Sequence, residues 1–459
     1  MNSCRSPMKT CRRAFMKMVR ITALAVASVF YSPLAVMAED APQAAQSLQP
    51  FAEFLAGIAS SQSGAAASAT PAVASARSAP TQAQSYLASL YAGVDAKAVK
   101  HSFVDANDTA FDCIPIMQQP ALHGSTEPLP TPPDIPKSLL RAASADGQTR
   151  ASNVSAAETD RFGNAMACAD GAIPMARVTP EQIGRFASLQ DFFRKSPDGA
   201  GGLPRRAASS SSAVQATHRY AHAYQEISNV GGHSFLNLWK PPVAASQIFS
   251  LSQHWYVGGN GSRLQTAETG WQVYPKFYKT AKPVFFIYWT SDGYTTKGCY
   301  NLTCAAFVQT SNTFAIGGAL KPWSTSPKKQ VALELMYFLY QGKWWLYVNG
   351  TAAANAIGYY PASLYNGGAM SIAAEEIDYG GETVGTKSWP AMGSGKFASL
   401  GFGKAAYQSD IFYIPASGPS VSANLTVSQD WPWAYTASFS YLNSPNFSTL
   451  FFGGPGGKR

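Results

Sequence analysis

The sequence predicts an all-β fold, an antiparallel β-sandwich over residues 207–459, preceded by a small pro-domain and a signal peptide. The 459-residue chain contains 25 Phe, 22 Tyr and 10 Trp, and aromatic residues favour the half-buried surface of a pleated sheet. After Thr217, short apolar runs alternate with Gly, Asn and Pro, which is typical of a sandwich or barrel with many short strands. These runs include residues 284–289, 314–316 and 343–348. Residues 331–340 are long enough for a helix, but their aromatic content and their neighbours favour a strand.

Residues 1–38 have the pattern of an export signal. Six basic residues precede an apolar run over residues 21–37, which is too short for a comfortable membrane span. Val36-Met37-Ala38 offers small residues at signal-peptidase spacing. Arg12-Arg13 fits a bacterial twin-arginine signal, and a general secretory signal fits equally well. We therefore expect an exported protein, periplasmic or extracellular, with no membrane span after signal removal.

The net charge of +9 does not indicate a nucleic-acid partner. Only 13 % of the residues are charged, and the densest basic cluster lies within the first twenty residues. Because that cluster belongs to the predicted signal, the remaining Lys and Arg are spread thinly and form no basic patch. We expect no nucleic acid among the partners.

Four cysteines remain after the predicted signal: Cys113, Cys168, Cys299 and Cys304. An even number in an oxidising compartment predicts two disulfides, with three possible connectivities. Chain order makes Cys113–Cys168 and Cys299–Cys304 the simplest pairing. A zinc site is the weaker alternative, since there is no second close Cys pair and no His at ligand spacing. We expect neither a metal nor another cofactor.

The composition divides the exported chain into a pro-segment over residues 39–206 and a sandwich over residues 207–459. Residues 39 to about 85 are rich in Ala, Ser and Gln, and this composition predicts a flexible, low-complexity leader. Residues 102–194 carry apolar clusters and look ordered. Residues 196–212 combine Gly, Ser and Arg, which is typical of an exposed site of proteolytic nicking.

The sequence from residue 207 onward offers few catalytic groups. It has no nucleophile elbow, zinc-protease helix motif, P-loop or dinucleotide fingerprint. Acids are scarce, and two stand out by context. Strand alternation places Glu268 with Thr266 and Gln272 on a polar strip, and Glu382 follows two glycines that permit close backbone approach. The alternative is that each acid simply hydrogen-bonds within a strand or turn.

Many short stretches of the chain resemble the neprosin family of glutamic peptidases. In the pro-segment they are FDCI (111–114), QPAL (119–122) and CADGAIPM (168–175). In the sandwich they are NLWKP (237–241), FSLSQ (249–253), ETGWQVYP (268–275), YWT (288–290), GCYNL (298–302), FVQ (307–309), GKWWL (342–346), IGYYP (357–361), GGE (380–382), MGSG (392–395) and FGGPG (452–456). Each stretch is weak alone, but together and in order they are highly specific. With its export signal, the chain resembles a bacterial-type member.

The resemblance implies a two-sheet sandwich with a substrate groove, Glu268 and Glu382 as the catalytic carboxylates, and disulfides Cys113–Cys168 and Cys299–Cys304. It implies a secreted zymogen of an acid-acting endopeptidase, whose substrates are proteins or peptides, proline-rich ones included, and whose own pro-segment is an inhibitor. Plant members favour cleavage after proline. The chain departs from them at four positions, which are Thr269, Ala305, Tyr360 and Thr383. These departures bear on the groove rather than on the carboxylates.

Further site candidates follow from the side chains near these motifs. Gln253 and Gln272 could donate to an oxyanion, since a side-chain amide can serve as such a donor. Hydrogen bonding within the sheet is an equal alternative for both. Four aromatic residues could wall a flat pocket for a proline ring: Tyr274, Trp289, Tyr359 and Tyr360.

Two other classes of function fit a sandwich of this composition. A glycoside hydrolase also uses a pair of carboxylates. A carbohydrate-binding module would use exposed aromatic residues such as Trp289, Trp344 and Trp345. The cysteine-linked pro-segment and the cleavable linker favour a peptidase over both alternatives.

Overall fold

The structure is a computed structural model that describes residues 47–66, 78–137, 139–140, 149–151, 158–196, 217–441 and 448–458. These residues all lie within one unit, Ser47–Arg459. The predicted export signal and most of the predicted cleavage linker lie outside the described residues. Within the described part, every helix is too short or too polar to cross a membrane.

The N-terminal segment, residues 47–196, begins with two helices where the sequence predicted a flexible leader. They are α1 (Phe51–Ala66) and α2 (Ser78–Leu90). In α1, Phe51, Phe54 and Ile58 recur at helical spacing and are buried. Leu87 and Leu90 of α2 are also buried. The leader prediction was wrong over these residues because a narrow apolar stripe is masked by the abundant Ala, Ser and Gln around it.

The rest of the N-terminal segment contains short strands and helices. They are β1 (Ser102–Val104), β2 (Ala110–Pro115), β3 (Thr149–Arg150), β4 (Ala172–Ala176), α3 (Pro180–Ile183) and α4 (Leu189–Phe193). Strands β1, β2 and β4 form a three-stranded sheet in that order. The side chains of Thr179 and Ser188 cap α3 and α4, each accepting a hydrogen bond from a backbone N–H three residues on.

The remaining chain is almost entirely β. Its strands are β5 (Thr217–Asn229), β6 (Gly231–Asn237), β7 (Gln247–Gly258), β8 (Gln265–Val273), β9 (Val284–Thr290), β10 (Gly298–Tyr300), β11 (Val308–Gln309), β12 (Val331–Tyr340), β13 (Lys343–Val348), β14 (Ala356–Pro361), β15 (Ala374–Gly385), β16 (Ser388–Trp389), β17 (Ala406–Ile414), β18 (Val421–Ser422), β19 (Thr426–Gln429), β20 (Thr436–Ser440), β21 (Thr449–Gly453) and β22 (Gly457–Lys458). A one-turn helix, α5 (Pro275–Tyr278), follows β8. Short 3-10 turns lie at Ile116–Gln118, Pro120–Leu122, Gly261–Arg263, Ala353–Asn355, Ala362–Tyr365, Ala369–Ser371 and Ala398–Leu400.

Two antiparallel sheets form the sandwich. The first sheet has the order β10-β9-β8-β7-β15-β5-β19, and the second follows the path β11-β14-β13-β12-β6-β17-β21-β20. β18 pairs with β17, and β3 of the N-terminal segment adds a parallel pairing to β12. The predicted all-β sandwich is therefore confirmed, as is the strand at residues 331–340. The run at 314–316 is not a strand and contributes only an isolated bridge from Ile316 to Met175.

Large aromatic side chains join the inner faces of the two sheets. The Tyr256 hydroxyl on β7 donates to the Gly232 carbonyl on β6 at 2.6 Å, and the Trp271 indole on β8 donates to the Asn237 carbonyl at 2.9 Å. Both aromatic residues are fully buried. Because Trp271 faces the second sheet, strand alternation turns Glu268 to the opposite face of the first sheet.

The N-terminal segment also lies against the outer face of the second sheet. Ile135 is buried there in an apolar cluster with Met336 and Trp345. The Tyr347 hydroxyl donates to the Pro133 carbonyl at 2.7 Å, and the Ala353 N–H donates to the Asp134 carboxylate at 2.8 Å. The segment is thus attached to the second sheet by apolar packing and by hydrogen bonds.

Candidate active site

Glu268 and Glu382 lie on one face of the first sheet, on the two strands that flank β7. Glu268 on β8 is opposite Trp255, and Glu382 on β15 is opposite Leu251. Leu251, Gln253 and Trp255 alternate along β7 and therefore share that face. This face carries Glu268, Gln253 and Glu382 and is turned away from the second sheet. We call it the groove face.

A single ammonium group joins the two carboxylates. Lys195 Nζ lies 2.5 Å from Glu268 Oε2 and 2.9 Å from Glu382 Oε2. The Lys195 side chain is 3 % exposed, and both glutamates are fully buried. The ammonium also lies 5.2 Å from the ring centre of Trp255, within the range of a cation–π interaction. A residue of the N-terminal segment therefore occupies the space between the two glutamates.

Two hydroxyl groups hold the other oxygen of Glu268. The Thr266 hydroxyl donates to Glu268 Oε1 at 2.8 Å, and the Tyr294 hydroxyl donates to the same oxygen at 2.7 Å. Thr266 precedes Glu268 by two residues on β8, and Tyr294 lies in the turn after β9. With Lys195 on Oε2, both oxygens of this buried carboxylate are hydrogen-bonded, as burial requires.

Glu382 is held by groups from the two neighbouring strands. His218 Nδ1 on β5 contacts Glu382 Oε1, and the Tyr220 hydroxyl donates to the same oxygen at 3.4 Å. Gln253 Nε2 on β7 donates to Glu382 Oε2 at 3.1 Å. The register explains this arrangement, because Glu382 is directly opposite Tyr220 on β5.

The charges around the glutamates determine their electrostatics. Burial raises the pKa of Glu382, but the charges of Lys195 and His218 outweigh burial and lower this pKa to about 2. Burial lowers the pKa of Lys195, and the charges of Glu268 and Glu382 more than compensate, so its pKa is raised. In this state Lys195 is cationic and Glu382 is ionised, and each stabilises the charge of the other.

Glycines on both sides of Gln253 allow the strands to approach closely. Gln253 is opposite Gly270 on β8 and Gly380 on β15. A Cβ on Gly270 would lie 2.0 Å from the Ser252 carbonyl oxygen, and Gly380 has a φ of +146°. The close approach predicted for the glycines before Glu382 is present at Gly380.

The predicted amide donors occupy different surroundings. Gln253 contacts Glu382, as described, whereas Gln272 Nε2 donates to the Tyr300 hydroxyl at 3.1 Å. Both glutamines are fully buried. Gln272 lies on the groove face because it is four residues after Glu268 on β8. Gln253 is the one that touches a carboxylate.

The structure does not bring the four predicted pocket aromatics together. Tyr274 packs against Phe249 and Phe277 at the end of β8. Trp289 alternates with Tyr288, which is opposite Glu268, and so faces away from the groove. Tyr359 and Tyr360 lie on β14 of the second sheet, where their rings pack on Trp345 and Phe307, respectively.

Several groups of the site were not assigned from the sequence: Lys195, His218, Tyr220, Thr266 and Tyr294. Thr266 lay on the predicted polar strip, so strand alternation offered a signal for it. His218 and Tyr220 alternate on the first strand after the linker, a weaker signal. Nothing local marks Lys195 or Tyr294, since each reaches Glu268 from a distant or irregular segment.

Both disulfides are present as predicted. Cys113–Cys168 links β2 to the loop before β4, and Cys299–Cys304 closes a short loop beside the first sheet. The indole of Trp289 donates to the Cys304 sulfur at 3.4 Å. Across the described ranges, no group of three or more His, Cys, Asp or Glu side chains is placed to hold a metal ion.

Comparison with known proteins gives two findings. Residues 246–455 match the Neprosin family model, and this range contains β7, β8 and β15 with both glutamates. Two crystal structures of scytalido-glutamic peptidase, one with a transition state analog inhibitor and one with a peptide based transition state analog, align over 52 % of this chain and 100 % of theirs. Their sequence identities are 10 % and 11 %, with TM-scores of 0.29 and 0.30. The family match supports a neprosin-like peptidase region that contains Glu268 and Glu382.

Proposed function

We propose that this protein is the exported precursor of a glutamic endopeptidase that hydrolyses peptide bonds with Glu268 and Glu382. The observation that carries the proposal is the pair of buried carboxylates that share one ammonium group on the groove face. The match to the Neprosin family over the same strands supports it. The Neprosin match supports the peptidase class, and the carboxylate pair supports the proposed glutamic type.

The chemistry follows from two carboxylates that share a site. With Lys195 withdrawn, two adjacent carboxylates cannot both ionise cheaply, so the pair retains one proton. The ionised glutamate takes a proton from a water molecule as that water attacks the scissile carbonyl. The protonated glutamate polarises the carbonyl and then protonates the leaving amine. One proton enters the pair and one leaves it, so the dyad is ready for another cycle.

Gln253 is the stronger candidate for stabilising the oxyanion. Its amide lies between the two glutamate strands and already donates to Glu382 Oε2 at 3.1 Å. An amide donor fixed in a buried site stabilises developing negative charge without reorganising. Gln272 is bonded to Tyr300 instead and fits a role in holding the groove wall.

Lys195 is the proposed cause of latency. Its ammonium occupies the position between the carboxylates and leaves no room there for water or a scissile bond. It belongs to a segment that is attached to the sandwich, because Phe192 stacks on Phe277 at 5.2 Å and the Lys195 carbonyl accepts from the Tyr300 hydroxyl at 2.8 Å. Residues 39–206 would then act as an inhibitor, removed by cleavage within 196–212.

Cleavage after proline is the specificity that we propose on the family resemblance alone. Tyr274 remains beside the groove, whereas Trp289, Tyr359 and Tyr360 lie elsewhere, so the groove-side wall must come from other rings. Tyr288 and Tyr294 stack with centroids 6.0 Å apart beside Glu268 and are candidates for this wall. Proline rings pack well on aromatic faces, and their fixed φ limits the entropy lost on binding.

The experiment is a digest of denatured proteins at about pH 4, with mass spectrometry of the products. We expect peptides to form, with proline enriched before the cuts, and activity to be insensitive to chelators, serine reagents and thiol reagents. Released sugar without peptides would favour the glycosidase. Inhibition by EDTA, or an optimum near pH 8, would overturn the two-glutamate mechanism. Absence of proline enrichment would remove only the specificity.

A further inference from the structure

His218 contacts both Glu382 and the segment that occupies the groove. It is buried on β5 and lies on the groove face, with its ring 5.9 Å from that of Tyr220 and 6.2 Å from that of Phe249. Its Nδ1 contacts Glu382 Oε1, and its Nε2 lies 2.9 Å from the Ser196 hydroxyl. Nδ1 therefore faces Glu382, with the Tyr220 hydroxyl also 3.1 Å from it, whereas Nε2 faces Ser196.

Ser196 shows how a peptide crosses the groove. Lys195 lies over the two glutamates, its carbonyl accepts from Tyr300 on the β10 side, and the next residue reaches His218 on the β5 side. The peptide therefore crosses the strands rather than following one of them. If a substrate follows the path of residues 195–196, one of its side chains lies beside His218, one position beyond the residue over the glutamates.

The chemistry of imidazole connects these two contacts. Nδ1–H donates to a carboxylate whether the ring is neutral or protonated. Nε2 of the neutral ring accepts from a hydroxyl and Nε2–H of the imidazolium donates to one, so a hydroxyl pairs with Nε2 in both states. A buried Nε2 that faces an alanine has no such partner. Ser196 supplies a hydroxyl at hydrogen-bond distance.

We propose that His218 is a positioning and specificity residue: through Nδ1 it orients Glu382, and through Nε2 it selects a serine or threonine one position beyond the residue over the dyad. This inference rests on the proposed function and names a feature of its substrates. His218 is not required to exchange a proton with the substrate, so its role differs from that of the two glutamates.

Three substitutions separate the two contacts. His218→Asn keeps an amide donor near the Nδ1 position and removes the group at Nε2. His218→Gln reaches toward the Nε2 position but loses the Nδ1 donor, and His218→Phe removes both. His222→Asn is the matched control, because His222 lies on the same face of β5 and binds Asp378 through Nδ1 at 2.7 Å, away from the dyad.

The assay uses activated protein and a peptide library randomised on both sides of the cut, with kcat measured on one fixed peptide. Thermal unfolding of each variant confirms folding. We expect wild type to enrich serine and threonine at one library position by about threefold to tenfold. The Asn and Phe variants should lose the enrichment, the Gln variant should keep part of it, and His222→Asn should retain it. The kcat should fall about 10- to 100-fold in the Gln and Phe variants and within about threefold in the Asn variant.

Each of the other possible outcomes would overturn a specific part of the proposal. Wild type without serine or threonine enrichment at any position would overturn the specificity role. Equal kcat in the Asn and Gln variants would overturn the positioning role, since only one of them keeps the donor to Glu382. If wild type cleaves and Glu382→Gln does not, these failures concern His218 alone. If wild type cleaves nothing, the proposed peptidase function itself is wrong.

Discussion

Single residues determine the charge balance of the site. The ammonium of Lys195 neutralises two carboxylates that would otherwise repel each other in a buried space. Removing one partner of a buried ionic group leaves the others without compensation and is strongly destabilising. Lys195 is thus both a structural partner of the glutamates and the group that keeps them occupied.

Replacing Lys195 by methionine tests this dual role. We expect Lys195→Met to lower precursor stability by about 3–5 kcal/mol and to shift processing to higher pH, because nothing then blocks the carboxylate pair. Denaturant unfolding and gel analysis of processing between pH 7 and pH 3 would measure both effects. Arg194→Gln is the control. Arg194 is the residue next to Lys195, but its side chain is partly exposed and pairs with Asp191 rather than with the glutamates. A Lys195→Met precursor that stays latent like wild type would contradict the assignment.

Tyr294 offers a milder test at Glu268. Tyr294→Phe removes the hydroxyl that donates to Glu268 Oε1 at 2.7 Å and keeps the ring. We expect kcat to fall about tenfold with little change in KM, because the lost hydrogen bond orients a charged catalytic group. Steady-state kinetics on one peptide would measure this. Tyr278→Phe, whose hydroxyl accepts from Asn301 away from the dyad, should leave kcat unchanged, and equal losses in both variants would refute the role of Tyr294.

Residues of the site differ in how far they can be predicted. Glu268 and Glu382 emerged because acids are scarce, strand alternation placed one on a polar strip, and family motifs surround both. Lys195 could not be identified from the sequence, since it is 73 residues from Glu268 along the chain. Neither secondary-structure propensity nor hydrophobic periodicity predicts such a long-range contact. The pocket aromatics were selected by type alone, and their strand faces place three of the four away from the dyad.

At the scale of elements, β7 determines the distance between the glutamates. It lies between β8 and β15, so the two carboxylates are separated by one intervening strand. Neighbouring strands lie about 4.8 Å apart, and glycines opposite Gln253 permit that approach without side-chain interference. The spacing of the dyad is therefore a property of the sheet rather than of any loop.

Gly270→Ala should disturb this spacing. Its Cβ would meet the Ser252 carbonyl oxygen at 2.0 Å, a backbone atom that cannot move aside alone. We expect a loss of about 1–3 kcal/mol in stability together with reduced kcat, measured by thermal unfolding and kinetics. Gly57→Ala in α1, where a Cβ meets nothing within 4 Å, is the control and should be neutral or slightly stabilising. A neutral Gly270→Ala would show that β7 tolerates separation from β8.

The elements were predicted well wherever apolar runs were bounded by turn residues. Residues 331–340 form the expected strand because their aromatic side chains alternate between the core and the outer face. Helices α1 and α2 were missed because their apolar residues are few and are buried by tertiary packing, as in the contact of Arg177 with the Phe54 ring at 4.8 Å. Residues 314–316 are apolar but lie in a loop that contacts the N-terminal segment.

For the whole molecule, acid is the expected trigger of activation. A carboxyl whose pKa is lowered in the folded protein stabilises it above its ordinary pKa and loses that contribution as the pH falls. For Glu382 this window extends from 4.5 down to about 2. On the outer face of the second sheet, the apolar packing around Ile135 and the hydrogen bond from Tyr347 to the Pro133 carbonyl contain no titrating carboxyl, so these contacts do not weaken in the same range.

We therefore expect an intact precursor at neutral pH and faster processing as the pH falls below 4.5. Gel electrophoresis over a pH series, with N-terminal sequencing of the active product, would follow this. The new N-terminus should lie within residues 196–212. Fully active protein that still begins near Glu39 would contradict the zymogen proposal, and processing fastest at neutral pH would contradict its trigger.

The most direct test of the two-glutamate proposal is the activity of Glu268→Gln and Glu382→Gln, measured as peptide release from a denatured protein at about pH 4. Glu375→Gln is the matched control, since this exposed residue shares β15 with Glu382 and its carboxylate accepts a hydrogen bond from the Gly259 N–H at 2.8 Å. We predict that both dyad variants fold normally and lose nearly all activity, because removing one member of a catalytic unit costs about as much as removing both. Retention of about a tenth of the wild-type rate by either folded variant would contradict the proposal.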